Sequence, residues 1–269
     1  MATTLRDMPG DMVTNILLQL PVKSLMRFRC VCKSWHALIS DPNFINTHLN
    51  QTRVNNKGYV LIKHRDSDLD KFSLRCDETF VGQKRLELPF KENVESLMVE
   101  GYCNGLLCLS CLGNPRIQRD LYLWNPAIQK LKRLPQSTPI TERFACIYFA
   151  FGHVPQIDDY RVVKFVYHRY IPCVNGICNA ALRCLKAPPE AELYSLRTNS
   201  WKAIENVFPC VIQSCSKDPI LNGIVHWLAR VYQEGGPFYE FVLSFDMGNE
   251  IFGEILFESS QSVAVMIMY

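Results

Sequence analysis

The chain has 269 residues, of which 48% are hydrophobic and 20% charged, and it holds 13 glycines and 15 prolines. This composition is typical of a globular protein and excludes collagen-like, coiled-coil and largely disordered chains. The 29 basic and 26 acidic residues leave a formal charge of +3, and no basic stripe concentrates that charge. We therefore expect no nucleic-acid partner.

The N-terminus and the cysteines together indicate the compartment. Charged residues and Pro9 interrupt residues 1–12, where a signal peptide would need an apolar run. The longest apolar run, Phe144 to Phe151, is far shorter than the roughly 20 residues of a membrane span. We expect a soluble protein that works in the cytoplasm, with the nucleus also open to it, and no membrane partner. Its twelve cysteines are then expected to be reduced thiols and not a disulfide framework.

The first fifty residues show the apolar spacing of short helices. One helix of about ten residues is predicted before Pro21, which stops it. Residues 22–38 are too crowded with apolar side chains for one helix and predict two short ones with a bend near Cys30. Asp41 then looks like an N-cap before Pro42, opening a final turn or two. So small a bundle cannot hide all of these apolar residues, which indicates a partner.

Beyond residue 55 the chain predicts short strands separated by turn signals, which indicates a mostly antiparallel β architecture. No ten-residue helical pattern intervenes, so a doubly wound α/β fold is not expected. The predicted strands are Tyr59 to Lys63, Leu106 to Leu109, Leu121 to Trp124, Phe144 to Phe151, Val162 to Val166, Glu192 to Leu196, Ile224 to Ala229 and Phe241 to Phe245.

Three segments of the β region resemble one another, namely residues 124–131, 194–201 and 245–252. Each has an aromatic residue, a polar turn and a large apolar residue seven positions after the first, and each continues into a further strand, which predicts a hairpin. Two Asn-Gly pairs, at 104–105 and 222–223, predict tight turns that lead into strands. Repeated hairpins are the units of propeller blades, and four or so blades with incomplete closure are expected.

Residues suited to catalysis or to metal binding do not converge. Cys103, Cys108 and Cys111 have the spacing of plant-type iron–sulfur ligands, but a strand would point the thiols to different faces. Asp66 begins a calcium-like loop that lacks the required glycine, and Asp158 with its neighbour is better explained as a turn than as an acid/base pair. Cys173, Cys178 and Cys184 lie in an insertion and are expected to form an ordinary surface loop. We therefore expect no catalytic residue, no cofactor and no bound metal.

The N-terminal region resembles an F-box in the form common in plants. The matching segments are Met8-Pro9-Gly10-Asp11-Met12, Asn15-Ile16-Leu17, Leu20 to Trp35 and Leu38-Ile39-Ser40-Asp41-Pro42-Asn43-Phe44.

The β region resembles the F-box-associated interaction domain of the same plant family. The matching segments are Cys103-Asn104-Gly105-Leu106, Leu123-Trp124-Asn125-Pro126, Asp158 to Val163, Leu193-Tyr194-Ser195-Leu196, Ser200-Trp201, Leu221-Asn222-Gly223 and Leu243-Ser244-Phe245-Asp246. Within that family the likeness is greatest to the S-locus F-box group, which recognises pistil ribonucleases. The repeats lack the diglycine of true kelch repeats, since Gly235-Gly236 stands outside them.

The resemblance implies a substrate receptor of an SCF-type E3 ubiquitin ligase that is not itself an enzyme. The F-box would dock on a Skp-type adaptor, which joins it to the cullin and RING subunits, and the β domain would hold a protein substrate. Trp35 would be an anchor of the docking interface. Loops Gln136 to Arg143, Tyr167 to Pro189 and Tyr232 to Pro237 would be candidates for substrate contact. The adaptor-binding and bundle-forming residues would include Pro9, Ile16, Leu17, Leu20, Pro21, Leu25, Phe28, Val31, Cys32 and Trp35.

The expected fold is therefore an α+β multidomain protein. Residues 1–50 are predicted to form the F-box bundle, and residues 51–269 an all-β, kelch-like propeller domain that is shortened at its C-terminus. Two other functions compete with the receptor hypothesis. One is a non-degradative or competitor protein that occupies the adaptor without delivering a substrate, and the other is a thiol or metal enzyme built on the cysteine clusters.

Overall fold

The computed structural model describes the chain in segments and divides it into two compact units. The described residues are 8–55, 59–65, 70–76, 79–80, 84–86, 97–112, 119–138, 145–168, 189–205, 207–212, 220–232 and 238–257. One unit comprises residues 1–93 with 125–131, and the other comprises residues 94–124 with 132–269.

Four helices form the N-terminal region: α1 (Gly10–Leu18), α2 (Val22–Phe28), α3 (Lys33–Ser40) and α4 (Pro42–Asn55). As predicted, α1 ends before Pro21, and two helices with a break between them replace one long helix. At 14 residues, α4 is much longer than the one or two turns expected from the sequence. The predicted helix was too short because most residues of α4 are polar and show no apolar periodicity.

Each of the four helices contributes one buried residue to a shared core. These residues are Leu17, Leu25, Ile39 and Phe44. The start of α4 is fixed by the predicted N-cap, because Oδ1 of Asp41 accepts the N–H groups of Asn43 at 2.8 Å and Phe44 at 3.2 Å. Pro42 occupies the first helical position, where its missing N–H costs no hydrogen bond.

Sixteen strands follow in the described residues, and each of the eight predicted segments coincides with one of them to within a few residues. Their bounds are β1 (Tyr59–Arg65), β2 (Asp70–Cys76), β3 (Lys84–Leu86), β4 (Met98–Cys103), β5 (Leu106–Leu112), β6 (Arg119–Asn125), β7 (Lys130–Arg133), β8 (Ala145–Val154), β9 (Asp159–His168), β10 (Glu190–Ser195), β11 (Ser200–Ala203), β12 (Val211–Ile212), β13 (Ile220–Leu221), β14 (Ile224–Tyr232), β15 (Phe238–Asp246) and β16 (Ile251–Leu256).

These strands form four sheets that follow the order of the chain. Sheet A is β1-β2-β3, sheet B is β4-β5-β6-β7 and sheet C is β8-β9-β10-β11. Sheet D has the order β12-β14-β15-β16, with β13 paired to the other end of β14. The pairings in the described residues for which a register is defined are all antiparallel, as the sequence predicts.

The internal repeat corresponds to the closing hairpin of sheets B, C and D. In each hairpin a polar side chain at the end of the first strand accepts one or two backbone N–H groups of the turn, and these residues are Asn125, Ser195 and Asp246. The last residue of each turn adopts a left-handed conformation: Gln129 (φ 54°), Asn199 (φ 54°) and Glu250 (φ 61°). The three hairpins therefore share a turn geometry as well as a residue pattern.

The two Asn-Gly pairs form two-residue turns with positive φ at both positions, which is the geometry that matches the twist of paired strands. Asn104 and Gly105 have φ of 50° and 80°, and Asn222 and Gly223 have φ of 52° and 82°. They join β4 to β5 and β13 to β14 as predicted.

Sheet C packs between sheets B and D, and its alternating side chains fill two separate cores. Phe149, Phe151, Val162 and Tyr194 pack with residues of sheet B, whereas Ala150, Val163, Phe165 and Leu193 pack with residues of sheet D. A strand buried on both faces is apolar at consecutive positions, as in Val162-Val163. This stacking of antiparallel four-stranded sheets is the arrangement of propeller blades.

Candidate interaction surfaces

Half of the ten predicted adaptor-binding residues lie in the interior of the helical bundle. Leu17 and Leu25 are buried, and Leu20, Phe28 and Trp35 pack against them. The Trp35 ring lies 5.5 Å from the Phe28 ring in an edge-to-face contact, so it fills space between α2 and α3. These five residues therefore support the bundle, and a direct contact of Trp35 with an adaptor stays a prediction.

The other five predicted residues are exposed on the helical region. They are Pro9, Ile16, Pro21, Val31 and Cys32. Val31, in the connection between α2 and α3, has 62% of its surface exposed, and Ile16 has 49%. Apolar side chains at this exposure leave hydrophobic area in water that a partner could cover.

Helix α1 is apolar on two of its faces. Val13 and Leu17 turn toward the core, while Met12 and Ile16, four residues apart, share an outward face. The core thus uses only part of the apolar surface that the sequence supplies. Met8, Val22 and Ile45 are exposed on the same four-helix region. The sequence already indicated this surplus, but its helical periodicity could not separate the core set from the exposed set.

Two cysteines are exposed between α2 and α3. Cys32 immediately precedes α3, and its Sγ lies 3.1 Å from Oγ of Ser34. Hydrogen bonds from the Ser34 side chain and from the Trp35 backbone lower the pKa of the Cys32 thiol. Cys30 and Cys32 are not joined in a disulfide.

The iron–sulfur-like cysteines belong to the strands of sheet B. Cys108 is fully buried and packs among Leu121, Leu123 and Phe149. Burial raises the pKa of the Cys108 thiol well above its ordinary value, and it also raises the pKa of Cys111. The described residues contain no group of three or more His, Cys, Asp or Glu side chains that could hold a metal ion. Cys173, Cys178, Cys184 and Asp66 lie outside the described residues. The second half of the calcium-like segment is strand β2 and not a loop.

The Asp158-Asp159 pair forms a turn and an anchor, as the turn interpretation predicted. Asp158 adopts a left-handed conformation after a single 3-10 turn. Asp159 is 3% exposed and accepts three hydrogen bonds, from Ser195 Oγ at 2.6 Å, Arg197 N at 3.0 Å and Arg161 Nε at 3.2 Å. Its acceptor capacity is taken up by the protein itself.

Arg161 connects the turns of sheets C and D, a role that the sequence did not indicate. Its guanidinium is paired with Asp159, donates to the backbone oxygen of Met247 and lies 3.8 Å from Glu250. Lys202 of sheet C also pairs with Glu250, at 2.7 Å. The hairpin turns at this end of the two sheets are therefore held together by charged side chains.

The predicted recognition loops lie mostly outside the described residues. Only 136–138 of the first, Tyr167, His168 and Pro189 of the second, and Tyr232 of the third are described. The order of the strands still fixes one feature of all three. In sheets B and C the tight turns join the first strand to the second and the third to the fourth, and in sheet D they join β13 to β14 and β15 to β16. The strands next to the three predicted loops therefore meet those loops at the opposite end.

A small helical bundle with surplus apolar surface, followed by stacked antiparallel sheets joined by long loops, defines a protein built for binding other proteins. A family model described as an F-box associated beta propeller domain matches residues 83–266, and an F-box domain model matches residues 5–47. The chain belongs to this family of F-box proteins.

The chain is similar along most of its length to F-box proteins of Arabidopsis thaliana. F-box/kelch-repeat protein At3g23880 is 29% identical, with 93% of this chain and 65% of that protein covered. Putative F-box protein At3g16590 is 28% identical, with 91% and 61% covered. F-box protein CPR1 is 32% identical, with 74% and 45% covered. The chain thus spans less than two thirds of these relatives.

Two further observations complete the description of the surface. In the part of the chain that the structure describes, no helix is both long enough and apolar enough to cross a bilayer. F-box proteins are in general adaptor subunits without catalysis of their own.

Proposed function

We propose that this protein is the substrate-recognition subunit of an SCF-type ubiquitin ligase. Its F-box would dock on a Skp-type adaptor, which would link it to cullin and the RING subunit, and its β domain would bind a protein substrate for ubiquitination. The observation that carries the proposal is the exposed apolar set of the helical region, which includes Val31 and Ile16, on a chain whose residues 5–47 match an F-box.

Adaptor binding is tested by co-purification of the full chain with a plant Skp-type adaptor. Val31→Asp and Ile16→Asp each place a charge on an exposed apolar position and leave the bundle core unchanged. Interface centres of this kind are sensitive to a buried charge, so we expect binding to weaken at least about tenfold. Tyr102→Asp is the matched control, because Tyr102 is 66% exposed on β4, far from the F-box in sequence.

Three results are distinguishable in this experiment. Loss of binding in the two F-box variants alone supports docking through this surface. Equal binding by all variants would place the adaptor elsewhere on the chain. A folded wild type that never binds would overturn the receptor proposal and leave a binding protein without a ligase.

For the substrate, we propose the end of sheets B, C and D from which the longer connections leave. The strands are joined by tight turns at the opposite end, where Asp159 and Arg161 bind each other and neighbouring residues. Few of the polar groups of these two residues are therefore available to a partner. The test is photo-crosslinking in cells from a residue at each end, Tyr239 beside the connection from β14 to β15 and Asn249 in the turn from β15 to β16, both of which are exposed. Substrate capture from Asn249 alone would contradict the assignment.

The proposal places this activity in the cytoplasm, with the nucleus as a second location, and assigns the chain no catalysis of its own. An S-locus role, in which the substrate would be a pistil ribonuclease, and a competitor role without substrate delivery stay predictions from the sequence. Ubiquitination of a captured substrate in a reconstituted ligase separates the receptor from the competitor.

A further inference from the structure

The last strand of sheet D differs from the matching strands of sheets B and C. Strand β7 carries Lys130, Lys132 and Arg133, and β11 carries Lys202, whereas β16 has the sequence Ile-Phe-Gly-Glu-Ile-Leu without a basic residue. Lysine on an outer strand discourages pairing with another strand. In the described residues, β16 pairs with β15 on one side and with no strand on the other.

Three of the exposed side chains of β16 are large and apolar. Ile251 and Leu256 are each 64% exposed, and Ile255 is 54% exposed. The residues that follow the hairpins of sheets B and C at the position of Ile255 are Leu134 and Ile204, which are 4% and 8% exposed. Each of those two packs against the next sheet. The position of the repeat that is buried in sheets B and C is therefore exposed in sheet D, at Ile255.

The sequence of β16 is symmetric about Gly253, because Ile251 and Ile255 stand two residues before and after it. Their side chains share one face of the sheet, since Ile255 and Gly253 pair with Val242 and Ser244, which alternate with the buried Leu243. Two copies of β16 placed antiparallel around a twofold axis at Gly253 would bring Ile251 of each copy opposite Ile255 of the other. Residues that stand directly opposite each other in an antiparallel pair have their side chains on the same face of the sheet.

The same register avoids repulsion between charges. It places each Glu254 opposite Phe252 of the second copy, and not opposite the other Glu254. A register centred one residue later would set the two carboxylates directly against each other. Gly253 at the centre of this register has no side chain, so the two copies can approach closely there.

We propose that β16 is a self-association edge at which two copies of this chain join sheet D into one continuous sheet, paired in the register centred on Gly253. The occupant is a second copy because twofold rotation about Gly253 sets the exposed Ile251 and Ile255 side by side and keeps the two Glu254 carboxylates apart. Such an interface uses the same strand of both chains, so it is closed by its twofold symmetry and yields a dimer. A dimeric receptor would present two copies of its binding surfaces.

The first test is the molar mass of the purified full chain by light scattering over a range of micromolar concentrations. We expect a dimer, and we expect Ile251→Lys and Ile255→Lys to weaken it at least tenfold. Leu221→Lys is the matched control, because Leu221 is 65% exposed on β13 and should leave the dimer intact. Circular dichroism and thermal unfolding establish that each variant is folded.

The second test reads the register. A chain with both Ile251→Cys and Ile255→Cys should form a covalent dimer under mild oxidation, because the register places each new thiol opposite its counterpart. Neither single variant should do so, and the wild type gives the background of the natural cysteines. A folded wild type that stays monomeric, or a dimer that survives both lysine variants, would overturn the proposal. Capture of a different extended peptide at β16 by a monomeric chain would also overturn it.

Discussion

Lys164 carries its charge inside the second unit with only 4% of its side chain exposed. Its ammonium group has three donors and finds three acceptors: Glu192 Oε2 at 2.9 Å, Ser137 Oγ at 2.7 Å and the Thr138 carbonyl at 3.3 Å. The other carboxylate oxygen of Glu192 accepts the Thr138 N–H and hydroxyl groups. The cluster thus ties residues 137–138 to strands β9 and β10.

We expect Glu192→Gln to lower the free energy of unfolding by about 3–5 kcal/mol, since it leaves the ammonium of Lys164 buried without a counter-charge. The amide cannot replace the carboxylate, because its NH₂ group must face either Lys164 or the donors of Thr138. Lys164→Met should cost less, because Glu192 keeps the donors of Thr138 and is itself 13% exposed. Urea unfolding of the two variants and of their combination measures the coupling, and additive effects would contradict a shared cluster.

The same cluster predicts how stability depends on pH. Burial alone would raise the pKa of Glu192, but hydrogen bonds from Thr138 and the Lys164 side chain outweigh it and lower the pKa from its ordinary value of 4.5. The folded state therefore binds this proton more weakly than the unfolded state. Its contribution is present above 4.5 and is lost as the pH falls through the lower value of the folded state.

Measured from pH 7 downward, the free energy of unfolding of the wild type should fall more steeply below pH 4.5 than that of Glu192→Gln. The glutamine variant lacks the titrating group, so the difference between the two curves reports this residue. Parallel curves would show that Glu192 titrates alike in both states. Asp246→Asn provides a comparison, because hydrogen bonds of Asn249 likewise lower the pKa of Asp246 against the effect of burial.

At the scale of elements, the three closing hairpins share a left-handed backbone conformation at the last residue of the turn, but the residue type at that position differs. Asn199 suits this conformation, whereas Gln129 adopts it at a cost of about 1–2 kcal/mol for a residue with a Cβ. We expect Gln129→Gly to raise the free energy of unfolding by about 0.5–1 kcal/mol, less than the full relief because glycine loses more entropy on folding.

Gln136→Gly is the control for that experiment, because Gln136 is exposed like Gln129 and is not among the residues of positive φ. It should lower the free energy of unfolding, since glycine there gains only unfolded-state freedom. Guanidinium unfolding of both variants gives the comparison. Destabilisation by both changes would show that the turn ending at Gln129 does not strain the chain.

Local patterns made the elements predictable, and long-range pairing made the rest unpredictable. Asn104-Gly105 and Asn222-Gly223 need only two adjacent residues to define a turn, and the structure has both turns. The contact between Lys164 and Glu192 depends on the register of β9 against β10, which the strand segments alone did not contain. The predicted adaptor-binding residues included both the buried Leu17 and the exposed Ile16. The sequence could not separate them, because apolar residues occupy more than one face of α1.

At the scale of the whole molecule, the two proposed surfaces lie on different parts of the chain, the F-box helices and β16. Independent surfaces predict independent losses: Val31→Asp should weaken adaptor binding and keep the dimer, and Ile255→Lys should weaken the dimer and keep adaptor binding. Both side chains are exposed, so neither variant disturbs a core. Light scattering of the complex with a Skp-type adaptor should give two chains and two adaptors for the wild type and one of each for Ile255→Lys.

The stoichiometry also tells the two proposals apart. A complex of one chain with one adaptor in the wild type would leave docking intact and remove the dimer. A dimer that binds no adaptor would do the opposite. Loss of both properties in either variant would indicate that the two surfaces are coupled, since a change at an independent site leaves the other site unaffected. The dimeric wild type should bind a substrate that has two recognition sites more tightly than the Ile255→Lys variant does. The ratio of the two affinities depends on the effective concentration of the second site.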